Sequence, residues 1–179
     1  MNYFVTGATG FIGGFFVEQL AARKGRIYIL VRQSSRDKLD ILKARLPAAA
    51  AERVIPVYGD ITQPNMGLSA NDLSVLKGNV SNFFHFAAIY DMAADEASQA
   101  AANINGTINA VQAAQAMQAS CFHHVSSIAV SGLFRGTFRE DMFEEAENLD
   151  HAYFRTKHES EKVVRQQCQI PFRIYRPSA

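Results

Sequence analysis

Apolar and polar positions along the chain follow two periods. Short runs rich in β-branched and aromatic residues recur at 2–6 (NYFVT), 26–31 (RIYILV), 53–58 (RVIPVY), 80–86 (VSNFFHF), 121–127 (CFHHVSS) and 172–176 (FRIYR). Runs this short, bounded by polar and turn residues, predict strands. Longer stretches with helical spacing lie between them. In FIGGFFVEQLAARK (11–24), Phe16 and Leu20 share a face and Arg23 and Lys24 close the segment. DKLDILKARLPAAAAER (37–53) reads as one amphipathic, solvated crossover helix with an alanine-rich end. AANINGTINAVQAAQAMQ (101–118) aligns Ile104, Ile108 and Val111. AYFRTKHESEKVVRQQ (152–167) places Phe154, His158, Glu161 and Arg165 on one side, with Val163 and Val164 elsewhere. Strands alternating with helices predict βαβ units and an α/β fold with a parallel sheet. Right-handed crossovers then favour a doubly wound Rossmann sheet of order 3-2-1-4-5-6, one domain over residues 1–179.

The first strand meets the first helix in TGATGFIGG (6–14). Glycine weakens helices and strands, so this junction needs the backbone itself. The spacing Gly7-x-x-Gly10-x-x-Gly13 after a strand and before a helix is the context of a dinucleotide turn. Gly7 permits the tight turn, Gly10 lets the backbone approach a pyrophosphate, and Gly13 lets helix and strand pack closely. Thr9, Phe11 and Ile12 complete the binding segment, where free N–H groups and the helix dipole favour an anion. The competing reading is a loose turn with spare glycines.

The end of the second strand, ILVRQSSR (29–36), bears on the cofactor. NAD sites place an acidic residue about 20 residues past the glycines. Here Arg32 and Arg36 flank Ser34 and Ser35, with no carboxylate. A guanidinium holds a 2′-phosphate in a fork, which a carboxylate would repel. The expected cofactor is therefore NADP(H), against an ordinary solvated basic turn.

Composition narrows the remaining classes. Of 179 residues 48% are hydrophobic, enough for a buried core. Lys plus Arg number 18 against 17 Asp plus Glu, so no basic field draws nucleic acid or anionic lipid. Cys121 and Cys168 are too few for a disulfide framework or zinc site and are expected as buried thiols. No stretch approaches the roughly 20 apolar residues of a membrane span, and the chain enters a strand at once, which points to the cytoplasm. His85, His123, His124, His151 and His158 match no ligand set, so no metal is expected. His123 and His124 are expected as satisfied core or rim residues. The acidic run EDMFEEAENLD (140–150) is expected as a solvated loop over the mouth of the active site.

Catalytic chemistry concentrates near the C-terminus. Tyr153 and Lys157 stand four apart on the last helix, one above the other. An ammonium beside a phenol favours phenolate, which suits Tyr153 to proton transfer. Ser126 and Ser127 end the fifth strand in VSSIAVSG (125–132), and ligands of open α/β sheets bind outside the carboxyl ends of strands.

Together, TGATGFIGG, GDI (59–61), HFAA (85–88), NINGT (103–107), VSSIAVSG, YFRTK (153–157) and RIYRPS (173–178) are similar, in order and over almost the whole chain, to the extended short-chain dehydrogenase/reductases. That resemblance implies a role for each matching residue. Ser127 is the implied catalytic serine, with Ser126 the alternative. Tyr153 is the acid/base, and Lys157 binds the nicotinamide ribose and tunes the tyrosine. Asp60 and Ile61 meet adenine, Ala87 and Ala88 run along the cofactor, Asn103 supports the active-site backbone, and Pro177 lies beside the nicotinamide. Within that superfamily HFAAIYDM (85–92), the 138–164 segment and PFRIYRPS resemble bacterial fatty acyl-CoA reductases, near the male-sterility and thioester-reductase proteins. The implied reaction is NADPH-dependent reduction of an acyl thioester such as acyl-CoA to an aldehyde, in some relatives onward to the alcohol. Two alternatives stay open: an epimerase, dehydratase or ketone reductase on the same scaffold, and an NADP(H)-sensing module without turnover. Because relatives continue past RPSA, the resemblance implies an N-terminal fragment without the substrate lobe. A homodimer of the full-length protein is left open.

Overall fold

The computed structural model describes residues 1–89 and 95–178; Tyr90, Asp91 and Met92 of HFAAIYDM and Ala179 of RPSA lie outside the described residues. Strands form where β-branched and aromatic residues cluster: β1 (Tyr3–Thr6), β2 (Ile27–Val31), β3 (Val54–Tyr58), β4 (Asn82–His85), β5 (Cys121–Val125) and β6 (Phe172–Tyr175). They pair in parallel in the order β3-β2-β1-β4-β5-β6, the predicted order. Tyr3 sits opposite Ile27 and Asn82, and Phe122 opposite Phe83 and Phe172. β1 and β2 are buried throughout, as strands covered on both faces must be.

Helices α1 (Phe11–Ala21), α2 (Arg36–Ala44) and α3 (Ala48–Ala51) cover one face. There Tyr3, Val5, Ile27, Ile29 and Val31 meet Val17, Leu20, Leu39 and Leu42. Beyond these strands Phe84, Phe86 and Tyr175 line an apolar groove of about 720 Å³ with Phe16 and Ile12. The other face packs against α4 (Ala70–Leu76), α6 (Gly106–Ala116) and α7 (Ala152–Gln167). A short α5 (Glu96–Gln99) precedes α6. On this face Phe4, Phe83 and Phe122 form a buried aromatic row, with ring centroids 4.8 and 5.3 Å apart. Truncating such a ring to alanine costs about 3–5 kcal/mol.

The structure corrects three helical expectations. The 37–53 segment is two helices, because Pro47 lacks the N–H that a continuing turn requires and instead caps α3. It is amphipathic as expected, burying Leu39, Leu42, Leu46 and Ala50 and leaving most of its other residues in water. Between α5 and α6 a π-helical turn spans Ala100–Asn105. Its extra residue rotates the face, so Asn103, Thr107, Ala110 and Val111 point inward while Ile104 and Ile108 are only half-buried. In α7 the two predicted groups are not separated, since His158 and Glu161 are buried together with Val163 and Val164, beside Tyr153, Thr156, Lys157 and Ser160. That buried set carries a lysine and a glutamate, so apolar spacing did not reveal it.

Candidate active site

The glycine turn is built by close approach. Gly7 has φ of 71°, and a Cβ there would lie 2.6 Å from the Ala87 nitrogen. A Cβ on Gly13 would lie 2.2 Å from the Gly7 oxygen. These contacts fix β1, α1 and the β4 exit against one another. Gly10 accepts the first bond of α1 from Gly14 N–H at 2.9 Å, and no side chain among the described residues caps the helix. The free N–H groups of that first turn are donors for an anion.

A cleft of about 560 Å³ opens over this turn. It brings together Gly7, Thr9, Gly10, Arg32, Asp60, Ile61, Ala87 and Ala88, all singled out from sequence. Phe11 projects into solvent beside Phe15, Gly13 packs beneath the turn, and Ile12 lines the apolar groove instead. Arg36 is not on the cleft wall; Ser35 and Lys38 are. The cause is the tight turn Gln33–Ser35 before α2, which puts residues three apart on the cleft side. Asp60 Oδ1 accepts from Thr62 N–H at 2.9 Å and from its hydroxyl at 2.8 Å, which shapes the β3 exit. Glycine turn, uncapped helix and basic rim together fit a dinucleotide.

Asn103 ties two walls together. Its Oδ1 accepts from Ile89 N–H at 2.8 Å, and its Nδ2 donates to Ile89 O at 3.2 Å and to Thr156 Oγ1 at 3.1 Å. Thr156 in turn donates to the Tyr153 carbonyl at 3.2 Å. The β4 exit is thereby fastened to the helix that holds Tyr153 and Lys157.

The two serines are distinct. Ser126 is buried, and its hydroxyl donates to Glu161 at 2.7 Å. Ser127 is half-buried; its Oγ accepts from Ala129 N–H at 3.1 Å and keeps its own proton to donate. Lys157 is 4% exposed and donates to the Val125 carbonyl at 3.1 Å. Burial pulls its ammonium down to about pKa 8, against the opposing pull of Glu161. Pro177 lines the apolar groove, and its carbonyl accepts from Ile128 N–H at 3.2 Å.

Beneath Lys157 the histidines divide. His85 pairs with Thr6 Oγ1 at 2.7 Å and Thr107 Oγ1 at 3.2 Å, and burial, then the Lys157 charge, pushes it down to about 3. His123 is satisfied by Asn82 and Tyr175, both at 2.9 Å. His124 departs from expectation: it is buried, stacks on His85 at 5.7 Å, and neither ring nitrogen has a partner among the described residues. Burial, reinforced by Lys157 and His85, holds it neutral.

Two further expectations change. Cys121 and Cys168 are half-buried free thiols rather than core residues. The acidic run keeps Glu140, Asp141 and Glu144 in water but is anchored by Met142 and Phe143. Phe143 stacks on His158 at 4.2 Å, and the Arg165 guanidinium lies over the Phe143 ring at 4.7 Å. Among the described residues no cluster of three His, Cys, Asp or Glu could hold a metal, and no helix is long and apolar enough to cross a membrane.

A linear gramicidin synthase polypeptide of Brevibacillus parabrevis is 34% identical over 96% of this chain, which spans 4% of that protein. Fatty acyl-CoA reductase 1 of Mus musculus is 28% identical over 70% of this chain and 28% of its own length. The terminal R domain of the myxalamid PKS-NRPS pathway superposes with a TM-score of 0.86 at 32% identity, covering 99% of this chain and 49% of that one. The chain thus spans less than half the length of each. Residues 5–179 match the family described as Male sterility protein, and the chain belongs to that family of NAD-binding reductase domains on the extended short-chain dehydrogenase/reductase fold.

Proposed function

We propose that this chain forms the cofactor and catalytic half of an NADPH-dependent acyl thioester reductase. The observation that carries the reading is Asn103, which bonds both to Ile89 on the wall of the dinucleotide cleft and to Thr156 on the helix bearing Tyr153 and Lys157, while Lys157 reaches the Val125 carbonyl two residues before Ser127. When bound, the dinucleotide supplies hydride to the thioester carbonyl carbon. The Ser127 hydroxyl holds the carbonyl oxygen through the proton it keeps free. As the carbonyl electron pair moves onto that oxygen, Tyr153 gives it a proton. The resulting hemithioacetal collapses: its C–S bond breaks, the sulfur leaves as thiol, and an aldehyde remains. Lys157 holds its charge beside Tyr153 and donates to the nicotinamide ribose. Asn103 keeps α7 and the β4 exit in register for that contact. Arg32 and Lys38, on the cleft rim, favour a 2′-phosphate.

The substrate class follows the relatives, whose names include fatty acyl-CoA reductases and synthase-terminal reductase domains. The test supplies the whole polypeptide containing this domain with NADPH and either a fatty acyl-CoA or an acyl-pantetheine thioester. Aldehyde or alcohol identified by mass spectrometry is the expected result. A protein that binds NADPH yet forms no reduced product from either thioester refutes the reading.

A further inference from the structure

We propose that Glu161 is the positioning residue of the site, its single carboxylate holding the ends of β5 and β6 and the catalytic helix in one geometry. This rests on the reductase reading above. Glu161 is fully buried, one helical turn beyond Lys157. From α7 itself, Arg165 donates to Oε1 through Nε at 2.9 Å and Nη2 at 2.8 Å. From the β6 exit, Arg176 donates through Nη2 to Oε1 at 2.6 Å and through Nε to Oε2 at 3.1 Å. From the β5 exit, Ser126 donates to Oε2 at 2.7 Å.

Each partner is next to, or shares a helix with, a residue of the site. Ser126 precedes Ser127, Arg176 precedes Pro177, and α7 carries Tyr153 and Lys157. Arg176 extends the bracket by donating to the carbonyls of Arg139 and Met142, which pins the 139–142 loop. A buried carboxylate needs such partners, and removing it leaves two guanidinium groups facing each other. Burial alone would raise its pKa, but hydrogen bonds from Arg176, Ser126 and Arg165 outweigh that and hold Glu161 ionised. Its charge also supports protonated Lys157, which faces neutral His124 and His85 from β5 and β4.

The test has two arms. On this chain, the Lys157 side chain is titrated by carbon-13 NMR in wild type, Glu161→Gln and Glu161→Asp. Glu161→Gln is expected to move the Lys157 midpoint down by about half a unit or more, and Glu161→Asp to restore it. An unmoved midpoint overturns the proposal, and this arm reads whether or not a thioester is reduced. On the whole polypeptide, Glu161→Gln and Ser126→Ala are expected to lower kcat by about tenfold to a hundredfold, with KM for NADPH within about twofold. Ser126→Ala leaves both arginines paired, so it keeps the arm readable should Glu161→Gln not fold. Wild-type kcat in Ser126→Ala overturns the proposal. A wild-type protein that reduces no thioester while Lys157 still responds to Glu161 instead refutes the reductase reading.

Discussion

Replacing Lys157 by methionine is expected to stabilise the cofactor-free protein near neutral pH. The ammonium is 4% exposed and donates to the Val125 carbonyl at 3.1 Å. Its pKa falls from 10.5 to about 8 on folding. At 1.36 kcal/mol per unit, keeping it charged costs the folded state about 3 kcal/mol. Methionine has nearly the same length and removes that cost, while the orphaned carbonyl costs roughly 2 kcal/mol. The net gain is about 1 kcal/mol near pH 7. The sign of the pH dependence is sharper. Between the folded and unfolded pKa values the unfolded chain binds the extra proton, so wild type gains stability as pH rises through that window. Urea denaturation of both proteins at about pH 7 and about pH 10 should show their gap shifting by about 2–3 kcal/mol in favour of wild type at the higher pH. The comparison cancels the titrating groups that Lys157 does not touch, and His85 and His124, which its charge does shift, are held neutral by burial throughout this pH window. A gap equal at both pH values refutes a depressed Lys157. Dinucleotide titration should show the reverse preference: the Lys157→Met variant should bind NADPH more weakly than wild type, since the lysine is held charged for the ribose.

Three other outcomes are expected. Arg32→Ala should reduce the preference for NADPH over NADH by about tenfold to a hundredfold in paired titrations, the worth of one charged hydrogen bond. Gly10→Val should still fold, with a small loss in melting temperature because its Cβ presses on the Gly7 oxygen at 3.2 Å, yet lose dinucleotide binding. Gly13→Val should instead lower the melting temperature, because a Cβ 2.2 Å from the same oxygen forces the turn open at a cost of about 1–3 kcal/mol.

The sheet was legible in the sequence because each strand is a short apolar run and its order follows from crossover handedness. The glycine turn was legible because close approach leaves a residue type that nothing else replaces. Where polar residues are buried, the pattern misled. In α7 Lys157, His158 and Glu161 are buried beside Tyr153, Val163 and Val164, which the spacing of apolar residues does not anticipate. A single extra residue in the π-helical turn brings Asn103 inward and leaves Ile104 half-buried, which no period of 3.6 anticipates. Lys38 replaced Arg36 on the cleft wall for a similar local reason, the tight turn that precedes α2. Glu161 was visible only as one polar residue among several until its three partners, from different elements, were brought together by folding.

The most direct test of the account follows NADPH oxidation by the whole polypeptide, with an acyl thioester and with the matching free aldehyde as separate substrates. Tyr153→Phe should cut the rate with the thioester by about a hundredfold to ten-thousandfold and leave NADPH affinity nearly unchanged, as loss of a general acid requires. Full activity of Tyr153→Phe on both substrates would contradict the assignment and reduce the constellation to structure.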